Sequence, residues 1–374
     1  MTIKKKIDRV IGVDLGNGLV NVRSVYPDGS PYTITFPSAF GYKKVIGEEF
    51  GQAGTQYNVK TFTIDGVDYI WGEDIAKTPE IIHTASLLED RYETKNYKNL
   101  IKIILGYVAK DIEIQPTEQI LISTGVPSNQ TKESTVNAIR KAFLGDAQDY
   151  LGLHKVTVNG EEFTINVAMV TVTPQPLATV LAVYLDENGL VKNRELKKKK
   201  IAVIDIGGGT TDLDTLFEFR RQNDYRSIGV GFRDVYKAIQ AKINEENGGK
   251  EMNVNDYIIL DIIEKAEREA KEKGTEPVYT YQGSEKQPVV DFTKVYQDAL
   301  HELGMKINQA ISNQWKDFDT FDKVFLVGGS ALRVAPYIEI LQEPDFPKNP
   351  GLSNVEGYYN FGVSKMNENN KDNG

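Results

Sequence analysis
Three short glycine turns, each following an apolar run, carry the residues whose types and spacing could do chemistry. They are Asp14-Leu15-Gly16-Asn17-Gly18, Asp205-Ile206-Gly207-Gly208-Gly209-Thr210-Thr211-Asp212 and Val327-Gly328-Gly329-Ser330. Backbone N–H groups can crowd onto a phosphate only where no side chain blocks the approach, and glycine also tolerates positive φ. Such turns are natural anion cradles. The carboxylates of Asp14 and Asp205 would repel a phosphate directly. Their placement makes sense if Mg²⁺ lies between, held through its water shell by Asp14 and Asp205. A single Asp-x-Gly-x-Gly is most often only a turn. Three such turns in this order, two sharing a strand–Asp–turn–strand layout, favour phosphate binding over that bland reading.

The elements that must position these turns follow from hydrophobic pattern. Residues 7–15 and 20–26 read as strands around the first turn. Residues 60–72 form a hairpin pattern around Asp65-Gly66, and Asn159-Gly160 marks a second, returning through 165–172. Residues 96–110 have helical spacing, 120–126 form a buried strand, and Ser128 is placed as the N-cap of a helix to 143. After Pro174-Gln175-Pro176 a helix covers 177–186, and a strand covers 201–206. Helices follow at 232–247, 254–273 and 292–312, then a strand at 324–327 and a helix to about 342. The polar residues from Asn367 are expected to be disordered. The layout of residues 10–22 returns at 203–216, which points to a duplicated domain with a cleft between its halves.

Composition narrows the class. The chain has 374 residues, 44 Lys and Arg against 53 Asp and Glu, and a net charge of −9. A surface this acidic repels phosphate backbones and anionic membranes, so no direct binding to nucleic acid or membrane is expected. Without cysteine, disulfides, thiolate catalysis and zinc–sulfur sites are excluded, and three scattered histidines argue against a histidine-built site. Asp14 and Gly16 interrupt the apolar stretch after the basic start, and no run approaches the roughly 18 apolar residues of a membrane span. A soluble, cytoplasmic protein is expected.

The order and spacing of the three turns resemble the phosphate-1, phosphate-2 and adenosine motifs of the superfamily of actins, heat-shock chaperones and sugar kinases. Asp14-Leu15-Gly16-Asn17-Gly18, Val172-Thr173-Pro174-Gln175-Pro176 and Asn354-Val355-Glu356-Gly357-Tyr358-Tyr359 look most like bacterial actin-like proteins, the plasmid-segregation (ParM-type) group above all. The resemblance implies an α/β actin-like fold, with two duplicated ribonuclease H-like domains flanking a nucleotide cleft. Domain I would cover 1–172, with 37–84 inserted and 353–374 returning to it. Domain II would cover 173–352, with 226–290 inserted.

The resemblance also implies roles for matching residues. ATP, with GTP as an open alternative, and Mg²⁺ would be bound by Gly16, Asn17, Gly18, Asn21, Gly207, Gly208, Gly209, Thr210, Thr211, Gly328, Gly329 and Ser330. Asp14 and Asp205 would hold the metal through water. Gln175 stands where relatives orient the attacking water; a neutral amide positions water but takes no proton, so slow hydrolysis is implied. Its bland alternative is a polar residue at a helix start. Asp212 either assists the same water or is a turn aspartate. Lys265 either touches the base or ribose or belongs to a solvated face with Glu264, Glu267, Arg268 and Glu269. Asn21 replaces a lysine that many relatives aim at the β- or γ-phosphate, and Arg23, on the same strand face, is either its substitute or a surface ion-pair residue. Lys197 to Lys200 read as a solvated turn in preference to an anion-binding patch, and the excursion after Leu190 as a candidate filament contact.

Two function classes stay open. One is an ATPase that polymerises head to tail on ATP binding, disassembles after hydrolysis and moves plasmid DNA through a DNA-binding adaptor protein. The other is a small-molecule kinase of the same fold, disfavoured because no acid occupies the Gln175 segment. A non-polymerising ATP switch is a third, weaker reading.

Overall fold
The computed structural model describes residues 6–47, 57–84, 89–145, 152–250, 252, 254–339 and 343–372. By contacts the chain divides into two units, 1–200 with 216–222 and 347–374, and 201–215 with 223–346.

The first unit is built on a ten-stranded sheet. Its strands are β1 (Arg9–Leu15), β2 (Leu19–Val25), β3 (Pro31–Pro37), β4 (Ala39–Tyr42), β5 (Lys60–Ile64), β6 (Val67–Trp71), β7 (Ile82–His83), β8 (Gln119–Val126), β9 (Leu153–Val158) and β10 (Glu161–Pro174). They stand in the order β3-β2-β1-β8-β10-β9-β5-β6-β4-β7. The β5–β6 hairpin turns at Asp65 (φ 51°) and Gly66 (φ 77°), and the β9–β10 hairpin at Asn159 (φ 50°) and Gly160 (φ 84°). Both pairs supply the two positive φ angles of a tight turn. Strands β1, β8 and β10 run parallel, so their C-terminal ends share one sheet edge.

Helix α1 (Lys95–Asp111) is capped by Thr94, whose side chain accepts from the N–H of Tyr97. It buries Leu100, Ile103, Ile104 and Val108 in the sheet's core with Phe62, Ile122 and Val158. Helix α2 (Glu133–Leu144) starts later than the sequence suggests. Ser128 is not its N-cap but a buried residue in the 3₁₀ turn Ser128–Gln130, and Lys132 takes the cap position. That turn is held by Gln130, whose N–H donates to Pro127 O and whose side chain accepts from Tyr92.

Helix α3 (Gln175–Tyr184) belongs to this unit, so the division falls after Lys200, where the sequence reading divides the chain after 172. The reason is the C-terminal helix, Ser353–Lys371, which packs against α3 and over β1 and β8. Thr179 donates to Asn354 Oδ1 at 3.0 Å and Asn360 Nδ2 to Leu185 O at 3.0 Å. Residues 367–371, leaving aside 373–374, which lie outside the described residues, are therefore helical, not disordered. Their amides are used: Asn367 Nδ2 donates to Asn188 O, and Asn370 exchanges two bonds with the backbone of Ile7.

The second unit is built on strands β11 (Lys200–Ile206), β12 (Thr211–Phe217), β14 (Arg226–Ile228), β15 (Thr280–Tyr281), β16 (Val290–Asp291) and β17 (Lys323–Val327), while the short β13 (Arg220–Arg221) and the end of β12 are counted with the first. In the main sheet β12 stands beside β11, and β11 runs parallel to β17. Helices α4 (Phe232–Glu246), α5 (Asp256–Lys273) and α6 (Thr293–Gln314) bury Ile239, Ile263, Ile307 and their neighbours against Ile204 and Leu326. Asn255 caps α5 through two backbone N–H groups, and Gly274 ends it at φ 64°. After β17 the helix is shorter than expected. Helix α7 covers only Ala331–Val334, and a 3₁₀ turn containing Pro336 follows, since proline has no N–H to continue the ladder. Residues 340–342 of the expected helix lie outside the described residues.

Candidate nucleotide site
In the first unit the parallel strands bring Asp14, Gly125 and Thr173 to neighbouring positions on the same sheet edge, because Val13 pairs with Thr124 and Thr173 with Gly125. Gln175 opens α3 two residues beyond Thr173 and is half-buried. The turn after Asp14 is closed by the N–H of Gly16, which donates to Leu19 O at 3.1 Å. The second unit repeats this bond. Gly207 N–H donates to Thr210 O at 2.9 Å, again between residues three apart, and Asp205 stands two residues before it as Asp14 does before Gly16. The echo seen in sequence is thus an echo in geometry.

Asp205 pairs with Val327 across β11 and β17, so the Gly207 turn and the Gly328 turn leave the same end of adjacent parallel strands. Ligands of open α/β sheets gather at such ends. Gly328 has φ 103°, and a Cβ there would come 2.3 Å from Ile206 O and 2.8 Å from Asp205 Oδ1. The two turns are packed to the limit. Gly231, which carries no sequence signal of its own, matters similarly: a Cβ would lie 2.7 Å from Gly207 O. That closeness lets the N–H groups of Phe232 and Arg233 bond the carbonyls of Gly207 and Gly208. Asp212 is buried on β12 beside Thr211, whose hydroxyl donates to Val230 O at 3.0 Å.

The tips of the three turns behave differently. A Cβ at Gly18, Gly208 or Gly329 would meet nothing within 4 Å, and none of the three has a left-handed φ. Among the described residues neither packing nor backbone conformation requires glycine there. A ligand that must approach the backbone closely does require it. Among the described residues no group of three or more His, Asp or Glu could hold a metal ion by itself. The carboxylates of Asp14 and Asp205 are hard oxygen donors, the type that suits an ion such as Mg²⁺.

The polar and charged candidates separate clearly. Asn21 is buried, and its Oδ1 accepts from Thr35. Arg23 is committed elsewhere: it donates to the carbonyls of Ser24 and Tyr32 and lies 4.9 Å over the Tyr359 ring. Lys265 is exposed on α5. Its neighbour Glu267 instead forms the inward contact, accepting from Arg333 at 2.8 and 3.0 Å just beyond the Gly328 turn. Arg91 reaches the first turn, donating to Asn17 Oδ1. In sequence it stands in Glu89-Asp90-Arg91-Tyr92-Glu93, a charged stretch indistinguishable from a solvated loop.

Comparison with known proteins finds matches to both parts of the chain. Residues 12–177 match the family model of the actin-like proteins' N-terminal domain, and residues 203–339 match that of the C-terminal part of the archaeal, MreB-like actin homologue. Among solved structures, the pSK41 ParM protein is 22% identical, covering 96% of this chain and 98% of its own, with a TM-score of 0.68. An archaeal actin homologue in complex with ADP is 20% identical over 94% and 98% of the two chains, with a TM-score of 0.65. ParM of Bacillus thuringiensis with ATP is 14% identical over 97% and 99%, with a TM-score of 0.66. No helix among the described residues is long and apolar enough to cross a membrane. The chain thus has an actin-like fold, with a match to an actin-like family model in each unit.

Proposed function
We propose that this protein is an ATPase that assembles into filaments when it binds ATP with Mg²⁺ and disassembles after hydrolysis. The observation that carries the nucleotide part is the set of glycines at Gly18, Gly208 and Gly329, which nothing among the described residues demands. ATP and ADP in the structures of relatives support the same reading. The Gly16-Asn17-Gly18 and Gly207–Thr211 turns bind the phosphates, and the Gly328-Gly329-Ser330 turn binds the nucleoside. Asp14 and Asp205 hold the waters of Mg²⁺, whose charge neutralises the phosphates when bound. Gln175 orients the attacking water, and Asp212 supports it. Assembly is head to tail, a heterologous contact that does not close into a ring. Movement of plasmid DNA in the cytoplasm would then run through a separate DNA-binding adaptor, in keeping with the chain's net charge of −9.

The test mixes purified protein with ATP–Mg²⁺, GTP–Mg²⁺ or a non-hydrolysable analogue and follows light scattering, pelleting and phosphate release. Scattering that rises above a critical protein concentration and decays as phosphate appears is expected. Flat scattering, with turnover only when a sugar or small acid is added, would replace this reading with the kinase.

A further inference from the structure
Arg91 is the one arginine or lysine buried among the described residues, 6% exposed. It stands on the short 3₁₀ turn Glu89–Glu93. Its guanidinium is held on two sides: Nη1 donates to Asn17 Oδ1 in the first glycine turn, and Nη2 donates to the Tyr92 hydroxyl at 2.9 Å. Tyr92 passes the chain on, donating to Gln130 Oε1 at 2.6 Å, and its ring lies under the guanidinium at 4.7 Å. The phenol of Tyr97 is acted on by the charges of both Arg91 and Asp14, so cation, carboxylate and turn form one cluster. A guanidinium taken out of water is costly unless its surroundings use the charge.

Neither Asn21 nor Arg23 supplies the first turn with positive charge. Asn21, paired with Asp14 across the hairpin, is neutral, and Arg23 is bound to carbonyls and the C-terminal helix. Arg91 also settles the orientation of Asn17. With Oδ1 taken by the guanidinium, the polar group the amide has left to offer is its Nδ2 donor, which suits a phosphate oxygen. Resting on the nucleotide reading above, we propose that Arg91 is a phosphate-positioning residue. It orients Asn17 as a donor and places a fixed positive charge behind the first turn, so affinity rises with the number of phosphates on the nucleotide.

The experiment measures binding of fluorescent ATP and ADP analogues and of adenosine, with Mg²⁺, to the wild type, Arg91→Gln, Arg91→Lys and Asn17→Asp, with melting temperatures alongside. Loss of a charge-assisted contact predicts ATP affinity at least about tenfold weaker in Arg91→Gln, a smaller loss for ADP and none for adenosine. Arg91→Lys should retain part of the preference because it keeps the charge. Asn17→Asp keeps a partner for Arg91, and so the fold, but removes the Nδ2 donor; it should lose ATP affinity without losing melting temperature. That variant carries the test if Arg91→Gln does not fold. Wild-type ATP binding with an unchanged ratio of ATP to adenosine affinity in Arg91→Gln, or undiminished ATP affinity in Asn17→Asp, overturns the role of Arg91 alone. A wild type that binds no nucleotide overturns the nucleotide reading with it.

Discussion

Gly357 on the C-terminal helix lies so close to Ala178 on α3 that a Cβ at Gly357 would come 1.9 Å from the Ala178 carbonyl oxygen. A backbone carbonyl in a helix cannot swing aside as a side-chain tip can. Gly357→Ala is therefore expected to force the two helices apart and cost on the order of 3 kcal/mol, as strong overpacking does. Urea denaturation of the variant measures this, and an unchanged midpoint would show that the helices pack less tightly than 1.9 Å implies.

Gly208 makes the opposite case. A Cβ there meets nothing within 4 Å. Gly208→Ala should leave stability within about 0.5 kcal/mol of the parent, while ATP binding falls because the methyl group stands where phosphate must approach the backbone. Calorimetric melting and nucleotide titration on the same sample separate the two effects. Equal ATP affinity would remove Gly208 from the binding surface.

His154 gives a pH dependence of stability. Burial holds its imidazole below the ordinary value of 6.5; the Lys102 charge acts in the same sense, against the hydrogen bond with Phe143 O. Just below pH 6.5 the unfolded chain then binds a proton that the folded chain does not. Stability attached to this residue is present above that pH and is lost as pH falls toward the folded value. Denaturant midpoints between pH 5 and 8, compared for wild type and His154→Gln, read this directly, with a flatter acid limb expected for the variant.

Gln175 and Asp205 should fail in different ways. Gln175→Ala is expected to bind ATP and assemble, but to release phosphate on the order of ten- to a hundredfold more slowly, since only water positioning is lost. Asp205→Asn should lose the benefit of Mg²⁺ in ATP binding itself. Phosphate release and Mg²⁺-dependent nucleotide titration distinguish them, and equal behaviour of the two variants would undo the assigned division of roles.

What the sequence determined by itself is what short-range chemistry encodes. Asp65-Gly66 and Asn159-Gly160 announce their hairpins because few residues adopt two consecutive positive φ angles. The spacing of Leu100, Ile103, Ile104 and Val108 announces α1, because the apolar stripe of a helix has a local period. The three glycine turns were legible for the same reason, and so was the echo that the bonds Gly16–Leu19 and Gly207–Thr210 make literal. Tertiary structure alone decided which distant residues meet. The amides of Asn367 and Asn370 look like a solvated tail until Asn188 and Ile7 supply backbone partners far away in the chain. Gly231 and Gly357 look like ordinary glycines until the carbonyls of Gly207 and Ala178 come within contact distance. Arg91 looks like surface charge until folding buries it against Asn17 and Tyr92. Close approach and burial are set by long-range packing, which leaves no local pattern in composition or periodicity.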